Sequence, residues 1–562
     1  MMNSQIHRAL KPGAIFTQRV TQYPTVSEQR IDLLRNWVIS SDQNWFKSIY
    51  DGGGAFARWS DMGKICGMPA DEISRALDEL TFYAKLLHSG STSSVRLSPV
   101  KNVWFGDTLV DAETSLMFAQ WAAEALDEDG SKVTGNGYHV SGLVDPLSYP
   151  LDYSCAYLFV NPTRSPEESL TAPVQSAPTH SIHLLQKSLG KRVYLPADPS
   201  EWTASKNYSM LPTDFHVNKE GKTQITSYIN NLHPVKHKRL YPLIARIFAA
   251  LVPALEQTLT DILHPVYANN VSEPSEWYAY DGTCPEPHKL SRVNGESHHF
   301  WSMKKERNRM MTERAYERWE RAKTWVGPKP RPFVAPSRPI SPYSLCGRKV
   351  QAVVRMDNLV IHPESPASVA TEWQVQGLSN ERIMATGVYF YSVENIAPGS
   401  SISFREAVCG SFTDKYNFDL EVLSKAYGLE IDPTNTNSEN LTISKVLGTL
   451  EVQQGRCLVF PNTYQSRFVD MKLKDKSKPG VCKMLQFFYV DPATRVPSSA
   501  MVPPRQQGWS NNAAMQPMSP EHAKAVREQM SDERNACNRM ASERLFEPQI
   551  LSGLGKPLSL SQ

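Results

Sequence analysis

The sequence of 562 residues contains no Cys-x-x-Cys. Its eight cysteines stand at 66, 155, 284, 346, 409, 457, 482 and 537, the nearest pair 482 − 457 = 25 residues apart. That spacing excludes zinc ribbons and thioredoxin-type motifs. Charge imbalance is missing too: 60 Lys+Arg against 57 Asp+Glu leave +3, which gives no global attraction to nucleic acid. No long apolar run is unbroken. The longest, residues 241–259, is cut by Arg246 and Glu256 and contains Pro253, whereas a membrane span needs roughly 20 predominantly apolar residues. The first twenty residues lack the apolar core of a signal peptide. There is no Walker motif or nucleophile elbow, and Gly52-Gly53-Gly54 is a lone flexible turn. Histidine is absent from 363 to 521: thirteen of the fourteen lie at or before His362, and the last is His522. A hydrophobic content of 41% excludes wholesale disorder. The expectation is a cytoplasmic, soluble protein with reduced thiols, no membrane and no nucleic-acid partner.

Six regions follow from composition and periodicity. Residues 1–155 read as helical, with apolar residues at helical spacing in 30–40 and 70–87 and a first-turn signature at Pro69-Ala70-Asp71-Glu72. Residues 156–239 are loop-rich. Residues 240–326 return to helix, first through the stripe Ile244, Ile247, Leu251, Leu255, Leu259 and Ile262, with Pro253 expected to kink it. The second helical stretch, 300–325, carries eight Lys/Arg against four Glu. It reads as a nucleic-acid or phosphate contact, or as a solvated helix with Met311, Ala315, Trp319 and Ala322 turned inward. Residues 327–344 form a connector holding six prolines. In 345–495 the runs 350–361, 382–393, 400–408, 456–462 and 482–491 are short, β-branched and aromatic, as in an antiparallel sandwich or barrel. Residues 496–562 hold a charged amphipathic helix. The fold class is α+β.

Certain stretches are distinctive beyond their periodicity. They are Ser-Tyr-Ile-Asn-Asn-Leu-His-Pro (227–234), the run from Glu372 through Asn380-Glu381-Arg382-Ile383 to Tyr391, Phe460-Pro461-Asn462, Lys478-Pro479-Gly480, and Phe487-Phe488-Tyr489-Val490-Asp491-Pro492. Together they resemble the fungal family known as domain of unknown function 4246, over roughly residues 50 to 548. The resemblance implies an iron(II)- and 2-oxoglutarate-dependent oxygenase-like protein, with 345–495 as a double-stranded β-helix (jelly roll). In that family pattern Glu372–Gly377 would read Thr-Trp-His-Val-Glu-Gly, and a His would stand at Ser466. The implied facial triad thus falls on Gln374, Gln376 and Ser466, where two amides and a hydroxyl replace two imidazoles and a carboxylate. Position 482, where the family carries Arg, is Cys482. Lys483 beside it faces the opposite side of a strand. Neither iron nor 2-oxoglutarate is therefore expected as a cofactor.

Substitute ligands are few. His362-Pro363-Glu364 is a literal His-x-Glu but lies out of register and contains proline. Glu372 shares strand parity with Gln374 and Gln376, as a stand-in carboxylate or a rim charge. His233 belongs to a turn in which Asn230 and Asn231 are expected to bond local backbone. The candidate pocket residues are Gln374, Gln376, Ser466, Asn380, Tyr389, Tyr391, Arg405, Arg467 and Lys483. Tyr and Lys suit general acids, amides suit developing negative charge, and Arg405 and Arg467 are anion contacts or surface charges. The leading expectation is a small-molecule protein of specialised metabolism acting non-oxidatively. A non-catalytic ligand-binding or scaffold relative and a genuine Fe(II)/2-oxoglutarate dioxygenase are the alternatives.

Overall fold

Thr25 opens the first helix, α1 (Val26–Ser41), through a capping box with Glu28. Helices α2 (Ala55–Ile65) and α3 (Ala70–Ser89) pack beside it. Arg35 joins Asp32 at 2.8 Å and Glu79 at 3.0 Å, tying α1 to α3. The computed structural model describes residues 21–546 except 23, 43, 51–53, 90–93, 127–137, 197–202, 265–273, 336–338, 340–341, 366–367, 410–424, 429–442 and 511. Gly52 and Gly53, the first twenty residues and the tail after 546 lie outside these.

The later elements, in chain order, are strands β1 (Arg96–Leu97) and β2 (Trp104–Gly106), helix α4 (Ala112–Leu126) and strand β3 (Tyr138–Val144). Helix α5 (Ile182–Leu189), strands β4 (Thr213–Val217) and β5 (Thr223–Ile225), and helices α6 (Leu240–Leu263) and α7 (His298–Arg321) follow. The strand-rich part holds β6 (Arg348–Ile361), β7 (Ile383–Glu394), β8 (Ser401–Cys409), β9 (Ile443–Glu451), β10 (Cys457–Pro461), β11 (Tyr464–Val469) and β12 (Gly480–Val490). Helix α8 (Pro520–Ala541) starts at a Ser519 cap and runs into a π-turn at Ser542–Phe546.

Two antiparallel sheets face each other. The larger has the order β1-β2-β10-β7-β12-β6-β4-β5, and β3 lies end to end with β4 along the free edge of β6. In the smaller, β8 sits between β9 and β11. Val388, Phe390, Leu458, Phe460, Cys482 and Met484 of the large sheet meet Ile402, Phe404, Leu447 and Leu450 of the small one in a shared apolar core. The alternate residues Tyr389, Tyr391, Phe487 and Tyr489 point to the other face, where α6 and α4 cover them. Phe248 of α6 stacks on Phe215 at 4.0 Å and meets Phe487 edge-on at 5.2 Å. At Gly387 a Cβ would come within 2.9 Å of Leu251 and Tyr489, so only glycine lets the helix lie this close.

Several expectations change. The sheets are not confined to 345–495: β1 to β5 come from earlier in the chain, too short and too irregularly patterned to stand out as strands. Among the described residues no strand pairing closes the two sheets into a barrel. Pro253 falls within the helical span of α6, as the apolar stripe implies. By length and composition α6 could cross a membrane, yet 72% of its most apolar window is buried within the protein. In α7, Trp319 does turn inward, stacking on Tyr280 at 4.0 Å. Met311 is 58% exposed and Ala322 is exposed as well, because α7 packs along one narrow stripe and buries no residue fully.

Candidate functional site

The segment between β6 and β7 extends the small sheet. Val369 bridges Met471, Thr371 N–H donates to Phe468 O at 3.0 Å, and Gln374 and Ser466 exchange backbone hydrogen bonds of 3.0 and 2.9 Å. Residues 92 positions apart (466 − 374) thus stand directly opposite each other.

The motif residues hold this segment in place. Asn462 accepts from Gln376 N–H at 3.2 Å and donates to Gln376 O and Ile383 O at 2.6 and 3.2 Å. Glu381, 3% exposed, accepts from Leu378 N–H at 2.8 Å and Met210 N–H at 2.6 Å and pairs with Arg534 of α8. Asp491 N–H donates to Arg382 O at 2.9 Å. Gly377 turns the chain at φ +83°, and a Cβ there would sit 2.6 Å from Ile383 Cγ1 and 3.1 Å from Glu381 Oε2. Gly377→Ala is expected to lose about 2 kcal/mol or more, from left-handed strain plus this clash, read from the urea midpoint.

Between the sheets, beside the apolar core, lies a cleft of about 120 Å³. Arg355 and Asp357 of β6 and Met484 and Gln486 of β12 form one wall. Thr371, Glu372, Gln374, Gln376, Ser466, Arg467 and Phe468 form the other, with Ile402 of β8 between. Arg355 stands opposite Gln486 in the ladder, and its Nε lies 2.5 Å from the Asp357 carboxylate. Burial raises the Asp357 pKa to about 6; Arg355 holds it down and Asp145 pushes it further up. Asp357, Gln486 and Ser466 are buried, whereas Glu372 and Gln374 are exposed at the mouth.

The expected pocket residues separate accordingly. Gln374, Gln376 and Ser466 meet in the cleft. Arg467 borders it, but strand alternation turns its side chain to the other face of the small sheet, where its guanidinium lies over Trp373 at 4.4 Å. Asn380 does not: it is buried, accepting from Ser205 N–H and donating to Tyr153 Oη and Tyr208 O. Tyr389 and Tyr391 belong to the opposite face of β7, the first donating to Ser115 Oγ at 2.8 Å and the second edge-on to Phe118. Burial raises both phenol pKa values. Arg405 lies outside the cleft on the small sheet, bonded to Gln465 at 2.7 Å and Ser542 at 3.2 Å. Lys483 reaches Glu394 at 3.9 Å, while Cys482 is sealed in the inter-sheet core.

Histidines elsewhere serve other ends. His362 closes β6 into a turn. His233 accepts from Val235 N–H and Lys236 N–H and packs on Trp509. Asn230 and Asn231 bond the backbone of Asp145, Ser148 and Tyr149 rather than local backbone, the chain turning through a left-handed Asn231 at φ +68°. Two histidines do lie on the large sheet from outside the expected barrel: His139 on β3, opposite Val360 in register, and His216 on β4, opposite Lys349.

Sequence reasoning missed Arg355, Asp357 and Gln486. The signal was present as Arg-x-Asp at period two inside an apolar strand, where polar groups need a reason to be buried. The donor set does not fit a two-histidine, one-carboxylate iron(II) site. Positions 374, 376 and 466 offer neutral oxygens, Asp357 is engaged by Arg355, and no described imidazole lines the cleft. Among the described residues no three His, Cys, Asp or Glu side chains gather as a metal site requires.

No curated protein matches the chain. A solved structure similar to it, the selenomethionine-labelled Fe(II)/α-ketoglutarate-dependent dioxygenase TqaL, shares 10% identity over 73% of this chain and 96% of its own, at a TM-score of 0.20. A score that low carries no argument. The family model described as "Protein of unknown function (DUF4246)" matches residues 71–513, and the chain belongs to that family.

Proposed function

We propose that the two sheets form the jelly-roll frame of an oxygenase-like protein that handles a small molecule in this cleft by acid–base chemistry, without iron. The observation that carries the reading is the pair of buried Asp357 and half-buried Arg355, set in the same cleft as Gln374 and Ser466. A carboxyl titrating near 6 changes protonation close to neutrality, where proton transfer is most efficient. Arg355 keeps its ionised form accessible. The amides of Gln374, Gln376 and Gln486 are donors suited to negative charge developing on a substrate oxygen. Isomerisation, cyclisation and elimination all proceed by such proton movements with no net oxidation. A cavity of about 120 Å³ is below the range of about 300–1,000 Å³ usual for larger ligands, so it admits a small molecule or one end of a longer one.

Metal analysis and oxoglutarate turnover test the reading. The purified protein, given iron(II), oxygen and 2-oxoglutarate, is expected neither to retain iron in stoichiometric amount nor to release CO₂. Tight iron with turnover would overturn the proposal.

The carboxyl itself is a second check. Asp357 is expected to titrate near pH 6 by ¹³C NMR, with the signal lost in Asp357→Asn. Its folded pKa is raised above the ordinary 3.8, so the fold favours its protonated form. That contribution is complete below about pH 4 and is lost as pH rises through about 6. Asp357→Asn should therefore flatten the fall in stability across that window. A resonance titrating near 4 would remove the acid–base assignment.

A further inference from the structure

Helix α7 is held along one stripe by the chain that precedes it: Asn308 donates to His288 O at 2.8 Å, and Trp319 stacks on Tyr280. At 3.6 residues per turn, positions 300, 303, 307, 310, 311, 314, 318 and 321 share a different side of the helix. Phe300, Met303, Met310 and Met311 stand there between 45% and 62% exposed. Arg307, Arg314, Arg318 and Arg321 stand among and beyond them, all exposed. The glutamates of α7 fall elsewhere: Glu306 and Glu313 pair with Arg309, and Glu320 pairs with Lys323. Glu317, 4.0 Å from Arg321, marks the border. Among the described residues no carboxylate pairs with Arg307, Arg314 or Arg318.

We infer that this face of α7 docks an acidic amphipathic helix of a partner protein. The partner's apolar side chains cover the phenylalanine and methionines, and its carboxylates pair with the four arginines. Charge complementarity commits the occupant: a side with four guanidiniums and no carboxylate at its centre repels a second copy of itself and attracts acidic chain. Guanidinium binds carboxylate as a bidentate fork. Methionine, unbranched and polarizable, adapts to the apolar side chains it meets. From 300 to 321 the face runs about 32 Å, room for a partner helix of about six turns. Among the described residues none that lines the cleft belongs to α7, so this surface and the cleft chemistry stand or fall separately.

Two other anionic partners fit less well. A nucleic-acid duplex would meet the guanidiniums with phosphate but set Phe300 and three methionines against a hydrated backbone. A bilayer of anionic lipid would take up those apolar side chains but would draw Arg307, which lies between Met303 and Met310, down with them. An acidic amphipathic helix satisfies both kinds of side chain at once, apolar on apolar and carboxylate on guanidinium.

Fluorescence anisotropy on the full chain at pH 7 tests this, with a dye-labelled peptide of about 20 residues made of Glu and Leu, the Leu along one helical face. The peptide should bind saturably, and a scrambled peptide of the same composition or a Lys/Leu counterpart about tenfold or more weakly. Arg314→Glu with Arg318→Glu should weaken binding about tenfold or more and reduce its salt dependence. Met303→Gln with Met310→Gln should weaken it with the salt dependence unchanged, as loss of apolar contact requires. All four positions are exposed, and unchanged thermal midpoints would verify the fold. No saturable peptide binding, equal binding of the scrambled peptide, or wild-type affinity in either variant would each overturn the inference. Tighter binding to vesicles of phosphatidylcholine with about 30% phosphatidylserine, or to a DNA duplex, lost in the same variants, would overturn it in favour of those partners.

Discussion

A chain carrying Gln374→His, Gln376→Glu and Ser466→His together is expected to bind about one equivalent of iron(II). The wild type is expected to bind none. Gln374 and Ser466 are already opposed across an antiparallel pair, and Gln376 lines the same cleft from the same segment. The three substitutions place two imidazoles and a carboxylate on backbone whose position Asn462 and Glu381 fix. The carboxylate also supplies the negative charge that a divalent ion requires. Anaerobic iron titration with metal analysis would measure the gain. The variant keeping Gln376 should bind distinctly more weakly, since neutral ligands alone leave the charge uncompensated. No gain in the triple variant would show that these positions do not converge as the small sheet implies.

The largest expected loss of stability is at Glu381. Its carboxylate accepts from two buried backbone N–H groups, of Leu378 and Met210, and pairs with Arg534, whose side chain is 12% exposed. Glu381→Ala leaves both donors and a mostly buried guanidinium without their acceptor. Breaking such a pair from one side costs about 3–5 kcal/mol, expected as a large downward shift of the urea midpoint. Glu381→Gln keeps one carbonyl acceptor and should lose distinctly less. If the alanine variant lost under about 1 kcal/mol, the anchoring role of this residue would be wrong. Because Arg534 belongs to α8, the loss should also loosen the C-terminal helix, visible as faster amide exchange there. This helix lies beyond the residues matched by the family model, yet it holds the segment that carries the cleft.

How much of this was readable beforehand differs from residue to residue. The strands at 348–361, 383–394, 401–409, 457–461 and 480–490 fall where β-branched and aromatic runs place them. The motifs around Asn380-Glu381-Arg382, Asn462 and Asp491 were recognisable as a family frame. Their work was not: they clamp the segment from Gln374 to Ile383, using partners such as Met210 and Arg534 that lie 171 and 153 residues from Glu381. The faces of β7 were also unreadable. Tyr389, Phe390 and Tyr391 are all at most 2% exposed, so no polar alternation distinguishes the cleft side from the helix side.

Local chemistry in the chain was enough to specify the strand-forming runs, the capped helices and the replacement of imidazole and carboxylate by Gln374, Gln376 and Ser466. Which side chains meet was decided by folding. Arg355 comes opposite Gln486, and Gln374 opposite Ser466, through antiparallel registers that join residues 131 and 92 apart. A register set by the packing of two sheets and a buried helix is a property of the whole core, and no local window contains it.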